Sequence, residues 1–352
     1  MRSCFITALC FIAVLGYAGS ALAQSPAVQD EKAPLSLSQN MQNLGLQCEI
    51  GLDLGSLKGY TRYQRGGLFV DAFGATRIYP SPLSELQFPL DVYMLGLTTA
   101  LKYKHQLNLS FELRKNLKAN AGKMEDSDWG YWYLVYEGGA PLAHDLSPSS
   151  LDIYSESKAK LDAWVMDAKA SYTFLNNSTW SVGAGLGLLY QNFDYEISDT
   201  TQWYPSYAYY FGNTAAADTF GGKIITYQIS YAVPYIFVEA GVDVATGITL
   251  CADIGYSPYA LGYDRDHHLI GITGSGSISE TDYTGHAVRY GIQGRGELSD
   301  HWAMGVRYEY QKITGDGDSY NYSGDGSAYT GKIDQDIESV QKYLSANLRY
   351  CF

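Results

Sequence analysis

The 352-residue sequence predicts an all-β fold, a ten-stranded antiparallel transmembrane β-barrel with long extracellular loops. Three observations point there: long segments alternate in polarity, their apolar face is rich in aromatics, and the chain stops on Phe352 at the end of the last such segment. In the segment from Trp180, the residues Val182, Ala184, Leu186, Leu188 and Tyr190 share one parity with Trp180, while Ser181, Gly183, Gly185, Gly187 and Gln191 fall on the other. Trp302, Met304, Val306, Tyr308 and Tyr310 repeat the pattern, and Leu344, Ala346, Leu348, Tyr350 and Phe352 close the chain with it. Successive side chains of a strand point to opposite faces, so one face meets lipid and the other a wet lumen. A secreted soluble β-sandwich also alternates. It does not account for the aromatic weight of the apolar face or for strands of this length. Nor does it explain the terminal Phe, which resembles the insertion signal of bacterial outer-membrane barrels.

The compartment follows from the N-terminus. Residues 1–23 carry one basic residue, an apolar stretch and a small-x-small site at Ala21 and Ala23, the pattern of a cleaved secretory signal. Cys10 follows Thr7, Ala8 and Leu9, without the small neighbour that lipoprotein processing needs. Residues 24–45 form a polar leader without periodicity, and 46–352 are the barrel. Beyond the signal no run of about 20 apolar residues occurs, which excludes helical spans. Cleavage removes Arg2 and no acid, taking the formal charge from −13 to −14. That balance argues against nucleic acid and suits a cationic partner.

Strands are expected near 47–63, 83–101, 104–118, 157–174, 179–196, 225–242, 247–262, 284–296, 301–315 and 338–352. Connections after even strands are short, such as 175–178, 243–246 and 297–300; those after odd strands are long and polar. Outer-membrane barrels have short periplasmic turns and long external loops. A chain that starts on the periplasmic side therefore holds every long loop outside.

Two of those loops carry chemistry. GYDRDHHLIG, residues 262–271, places Asp264, Asp266, His267 and His268 within five positions of a chain with six histidines. KMEDSDWGYW, after the third strand, places Asp126 and Asp128 two apart before Trp129. Residues two apart on extended backbone face one way, so Asp126 pairs with Asp128 and Asp266 with His268. An Asp accepting from one imidazole nitrogen fixes the tautomer and leaves the other nitrogen to take a proton from water. Two carboxylates sharing a site raise one of their pKa values and can hold that water.

Plainer readings remain open on the residues alone. Acids and histidines in surface loops are usually just solvated, and Asp264, Asp266 and His268 could ligate a divalent metal, although the spacing matches no recognised site. His267, on the opposite face, reads as a bystander. The Gly-Asp repeats of TGDGDSYNYSGDGSAYTG faintly suggest calcium but lack its ligand period.

The combination resembles the omptins, ten-stranded outer-membrane endopeptidases of Gram-negative bacteria. The stretches that carry the resemblance are LGSLKGYT at 54–61, AGKMEDSDW at 121–129, VPYIFVEAG at 233–241, YDRDHH at 263–268 and the ending through Phe352. It implies a monomeric aspartate-histidine endopeptidase with its active site facing the extracellular side. Asp126 and Asp128 form a carboxylate couple, Asp266 orients His268, and a water between the couples attacks the peptide carbonyl without metal or covalent intermediate. It further implies that Asp264 lines a pocket for a basic substrate side chain, with charge-assisted hydrogen bonds to Arg or Lys. Cationic peptides are the expected substrates, and lipopolysaccharide the expected activator.

Departures from the family pattern stand beside these expectations. Tyr63, in GYTRYQ, occupies the place of the pocket's other acid, which relaxes the expected basic preference. Asp194 and Ser230 occupy places where the family grips lipopolysaccharide with basic residues. Three cysteines survive cleavage, and the parities of Cys48 and Cys351 oppose a disulfide, so free, buried thiols are expected. Fold does not dictate function, and the alternative is a non-enzymatic barrel, an adhesin or small-solute pore.

Overall fold

The computed structural model describes residues 45–104, 106–130, 149–207, 217–269 and 276–352. The signal peptide and all but the last residue of the leader lie outside the described residues, as does 131–148 of the connection after the acidic pair.

The described residues form twelve antiparallel strands. In chain order they are β1 (Leu46–Asp71), β2 (Thr76–Pro89), β3 (Val92–Tyr103), β4 (Leu107–Asn116), β5 (Asn120–Trp129) and β6 (Leu151–Asn176). The second half comprises β7 (Trp180–Trp203), β8 (Asp218–Ala245), β9 (Ile248–His268), β10 (Ser277–Glu297), β11 (Trp302–Ser323) and β12 (Tyr329–Cys351). The sheet closes where β12 pairs with β1, from Glu49 opposite Cys351 to Asp71 opposite Gly331.

Twelve strands occupy ten positions round this barrel. β1 pairs with β3 over Leu46–Leu57 and with β2 over Tyr60–Val70, so β2 and β3 are two lengths of one stave. β6 likewise pairs with β4 over its C-terminal half and with β5 over its N-terminal half. The expected ten staves are therefore present, and the strand count is corrected to twelve because two staves are interrupted. One break follows Pro89, which has no N–H for a ladder; there the Leu90 N–H turns instead to the Gly59 carbonyl at 3.0 Å. The other spans Leu117 to Ala119, where the Asn116 side-chain amide donates to the Lys118 and Leu161 carbonyls.

Alternation places the lipid face as expected. Leu186 is 66% exposed and its neighbour in the chain after next, Leu188, 44%, whereas Leu189, on the other face, is 4% exposed. Along β9 the outward apolar series runs Ile248, Leu250, Ile254, Tyr256, Tyr259 and Leu261, all exposed. It then gives way to Arg265, paired with Glu280 of β10 at 3.4 Å. A membrane crossing needs about 9–11 strand residues, yet β8 has 28 and β1 and β6 have 26 each. The excess stands beyond the lipid belt, at the end opposite the tight turns 177–179, 246–247 and 298–301.

This extension corrects the expected long loops. Both acidic clusters lie on strands, β5 and β9, rather than on loops, because backbone pairing continues above the lipid where neither face of the strand needs to be apolar. The segment after the first strand is also a hairpin, β1–β2, turning at 72–75. The Gly-Asp repeats belong to the β11–β12 hairpin.

The lumen is packed rather than wet along its middle. In the belt, Arg289 donates to Asp167 (2.9 Å) and Glu309 (3.2 Å), Arg114 to Glu112 and Glu309 (both 2.5 Å), and Arg307 to Glu112 (2.8 Å). Each buried charge thus has a partner, as burial requires. Above them Gln191 and Gln341 exchange amide bonds at 2.7 and 2.9 Å. Next comes an aromatic layer in which Phe88 stacks on Tyr227 at 4.1 Å between ring centroids, beside Tyr63, Tyr195, Phe193 and Tyr231. Full burial of such side chains contributes about 1.5–3 kcal/mol each. Cys48, Cys251 and Cys351 are free, but none is buried. All three border a cavity of about 600 Å³ at the turn end, which leaves them accessible.

Candidate active site

The two acid pairs stand above the aromatic layer, and strand register sets their heights. On β5, Asp126 is opposite Leu86 and Asp128 opposite Ser84 of β2. Leu86 is in turn opposite Tyr63 of β1, and Ser84 opposite Arg65. Tyr63 and Arg65 therefore sit level with the two aspartates, one strand removed. On β9, Asp266 is opposite Tyr227 of β8 and Ser279 of β10, with His268 one step nearer the rim.

Tyr63 joins the two sides. Its hydroxyl donates to Asp266 Oδ2 across the mouth, although 203 residues separate them. The same carboxylate oxygen lies 3.0 Å from His268 Nε2. An Nε2–H donating to Asp266 leaves Nδ1 as the proton acceptor. Asp266 is fully buried, and neither its Oδ1 nor Asp126 Oδ1 has a hydrogen-bond partner among the described residues. These groups lie beyond the lipid belt.

The electrostatics show the convergence that spacing alone left open. Burial pushes the Asp126 carboxyl well above its ordinary range, and the neighbouring Asp128 and the facing Asp266 push it further, while His268 opposes. Asp128 is raised by burial, against a hydrogen bond from Ser84 and the His268 charge. Burial also raises Asp266, but the His268 charge and hydrogen bond, Arg65 and the Tyr63 hydroxyl outweigh it and hold the carboxylate below its usual value. His268 is penalised by burial yet ends above 6.5, because Asp266 and then Asp126 favour the imidazolium. Each couple thus feels the other across the mouth.

The residues expected to bind substrate are placed differently. Asp264 is fully buried, and its Oδ2 accepts from Tyr283, from Tyr227 at 3.1 Å and from Gln335 at 3.0 Å. Burial raises its pKa to about 7, against the Tyr283 bond and Arg65. It is an enclosed, hydrogen-bonded acid rather than an open pocket wall. Tyr63, likewise fully buried, serves Asp266 instead of a pocket. His267 faces outward and borders a groove of the outer wall, as its parity foretells.

Arg65 is the residue that sequence reasoning passed over. It lies 4.0 Å from Asp266 Oδ2, with its guanidinium carbon 4.7 Å from the centre of the Tyr63 ring. Its Nε donates to Gln335 Oε1 at 2.5 Å and its Nη2 to Ser279 Oγ. The signal was available in GYTRYQR: Arg65 shares the parity of Tyr63, so a cation was bound to point into the mouth.

A closed antiparallel barrel with an exposed apolar belt and polar extensions at one end is an outer-membrane β-barrel. The description of one protein family, the omptin family, matches residues 80–352, and the chain belongs to it. The matched stretch includes both acid pairs and begins after Tyr63 and Arg65. Among solved structures, the outer membrane protease OmpT of Escherichia coli is similar at a TM-score of 0.72 and 15% identity, over 87% of this chain and 97% of that one. The Pseudomonas aeruginosa outer membrane protein OprG gives a TM-score of 0.35 at 13% identity, over 87% and 95% of the two chains. The autotransporter NalP translocator domain of Neisseria meningitidis gives 0.34 at 10%, over 89% and 94%. A comparison with curated proteins finds no match.

Proposed function

We propose that this barrel is an outer-membrane endopeptidase whose mouth faces the cell exterior and hydrolyses peptide bonds with a water held between Asp126–Asp128 and Asp266–His268. The observation that carries this reading is the shared oxygen of Asp266, which takes both His268 Nε2 and the Tyr63 hydroxyl while Asp126 lies within its field. His268 Nδ1 accepts a proton from the water, and the oxygen attacks the peptide carbonyl carbon. The imidazolium, steadied by Asp266, returns the proton to the leaving amine as the C–N bond breaks. Burial and the neighbouring Asp128 favour the protonated form of the Asp126 carboxyl, so the couple holds the water with less repulsion between its two acids. The unshared Oδ1 atoms of Asp126 and Asp266 supply acceptors for it.

The alternative of a small-solute pore is disfavoured, since the ion-pair layer and the aromatic layer fill the lumen, and a space of only about 30 Å³ lies beside Arg114 and Arg289. The acidic chain favours peptides that are cationic overall, because the field of the mouth concentrates them. A lipopolysaccharide requirement is also proposed, although Asp194 and Ser230, where the family is basic, are joined instead through Asn192 at 2.7 Å each.

The test is digestion of a mixed peptide library by the folded barrel, with and without lipopolysaccharide, beside His268→Ala, with cut sites read by mass spectrometry. Cuts confined to the wild type support the hydrolase. Equal cutting by both proteins removes His268 from the mechanism, and no cutting by a barrel proven folded favours the binding or adhesin reading.

A further inference from the structure

Among the described residues of the mouth, Asp126, Asp128, Asp264 and Asp266 all feel the buried cation Arg65, which belongs to the chain itself. Arg65 is bound in the way a protein recognises a guanidinium from outside. Its face lies over the Tyr63 ring at 4.7 Å, and a carboxylate oxygen of Asp266 stands 4.0 Å away. Its edge is fixed by Gln335 at 2.5 Å and by Ser279. Ring stacking, a facing carboxylate and planar hydrogen bonds are the three contacts that make Arg selective in recognition. Gln335 ties the arrangement to the second acid, since its Nε2 donates to Asp264 Oδ2 at 3.0 Å. Only 17% of the Arg65 side chain is exposed. The seat that two inward acids of β9 create is therefore already filled.

We propose that Arg65 is a specificity-determining residue, a built-in counter-ion that takes the place beside Asp264 and Asp266 where a basic side chain would sit, so that the substrate side chain received next to it is uncharged. This rests on the endopeptidase reading and replaces the basic preference that the family resemblance implies. A cationic side chain arriving there would meet the Arg65 charge at close range and would find Asp264 enclosed by Tyr227, Tyr283 and Gln335. Arg65 also stabilises the Asp266 carboxylate and lowers the proton affinity of His268, so one group shapes both selection and the base.

The experiment compares the folded full-length barrel with Arg65→Ala and Arg65→Gln, the second retaining an amide for Gln335 and Ser279 should the first fail to fold. Benzamidine binding is measured by calorimetry, and cut sites and KM against kcat are read from a peptide library. We expect both variants to bind benzamidine at least tenfold more tightly than the wild type, and their cuts to move to Arg and Lys sites mainly through KM. Binding gained without any cleavage sustains the role of Arg65 while removing the endopeptidase reading. No gain in binding by either folded variant overturns the proposal, as does a wild type that already prefers Arg or Lys tenfold over uncharged residues.

Discussion

Tyr63 donates its phenolic hydrogen to Asp266 Oδ2, the oxygen that also meets His268 Nε2 at 3.0 Å. The bond crosses the barrel mouth and links β1, which the β2 strand separates from Asp126, to β9, which carries the histidine. Tyr63→Phe keeps the ring in its layer and removes only that donor. Loss of a hydrogen bond that orients a functional group typically costs about 10–100-fold, so kcat should fall by that order with the heat-modifiable gel shift intact. An unchanged kcat would show that Asp266 needs no support from Tyr63.

His268→Ala and Asp126→Asn should each lower peptide cleavage by about 10²–10⁴-fold, the range over which a positioned acid or base acts. Both sites lie above the packed lumen, so folding into lipid should proceed as in the wild type. Electrophoresis without heating checks the fold, and a fluorogenic peptide checks the rate.

The pH dependence has a definite sign. Only neutral His268 accepts a proton, and its folded pKa lies above 6.5, so activity should fall as pH drops through that raised value. Asp266→Asn removes the charge that raises it, and the acid limb of the kcat profile should move to lower pH. A limb that stays in place in Asp266→Asn assigns it to another group.

Stability follows by linkage. The raised His268 pKa contributes stability that is complete below about 6.5 and is lost as pH rises through the folded value. Asp266, held below its ordinary value, contributes above about 3.9 and loses its contribution as pH falls through the folded value. In the aromatic layer, Phe88→Ala removes a fully buried ring stacked on Tyr227 and should cost about 3–5 kcal/mol in reversible unfolding from lipid. A cost below about 1 kcal/mol would mean that the layer collapses around the gap.

The lipid-crossing half of each strand was legible because one face must be apolar there. Leu186 and Leu188, Met304 and Val306, and Leu344 and Leu348 all face outward as their parity indicates. Above the lipid that constraint ends. Asp264, Asp266 and His268 alternate with Arg265 and His267 as strand residues do, but polarity on both faces reads as loop. The break after Pro89 was not legible because apolar alternation resumes at Val92, and the second length of the other stave, β5, was not legible because its residues are mostly polar. Pairing of Asp266 with His268 needed only the two-residue period. Their approach to Asp126 could not be read locally, since it depends on the closure of β12 on β1 and on a tyrosine reaching across the mouth.

The central claim is that the acids of β5 and β9 act as one unit, and a double-mutant cycle on kcat/KM with Asp126→Asn, Asp266→Asn and the double variant tests it most directly. Groups that share one transition state lose their effects non-additively. The double variant should be no more than about tenfold slower than the slower single variant. Losses that multiply in full would contradict the account, because the two couples would then be acting on separate events.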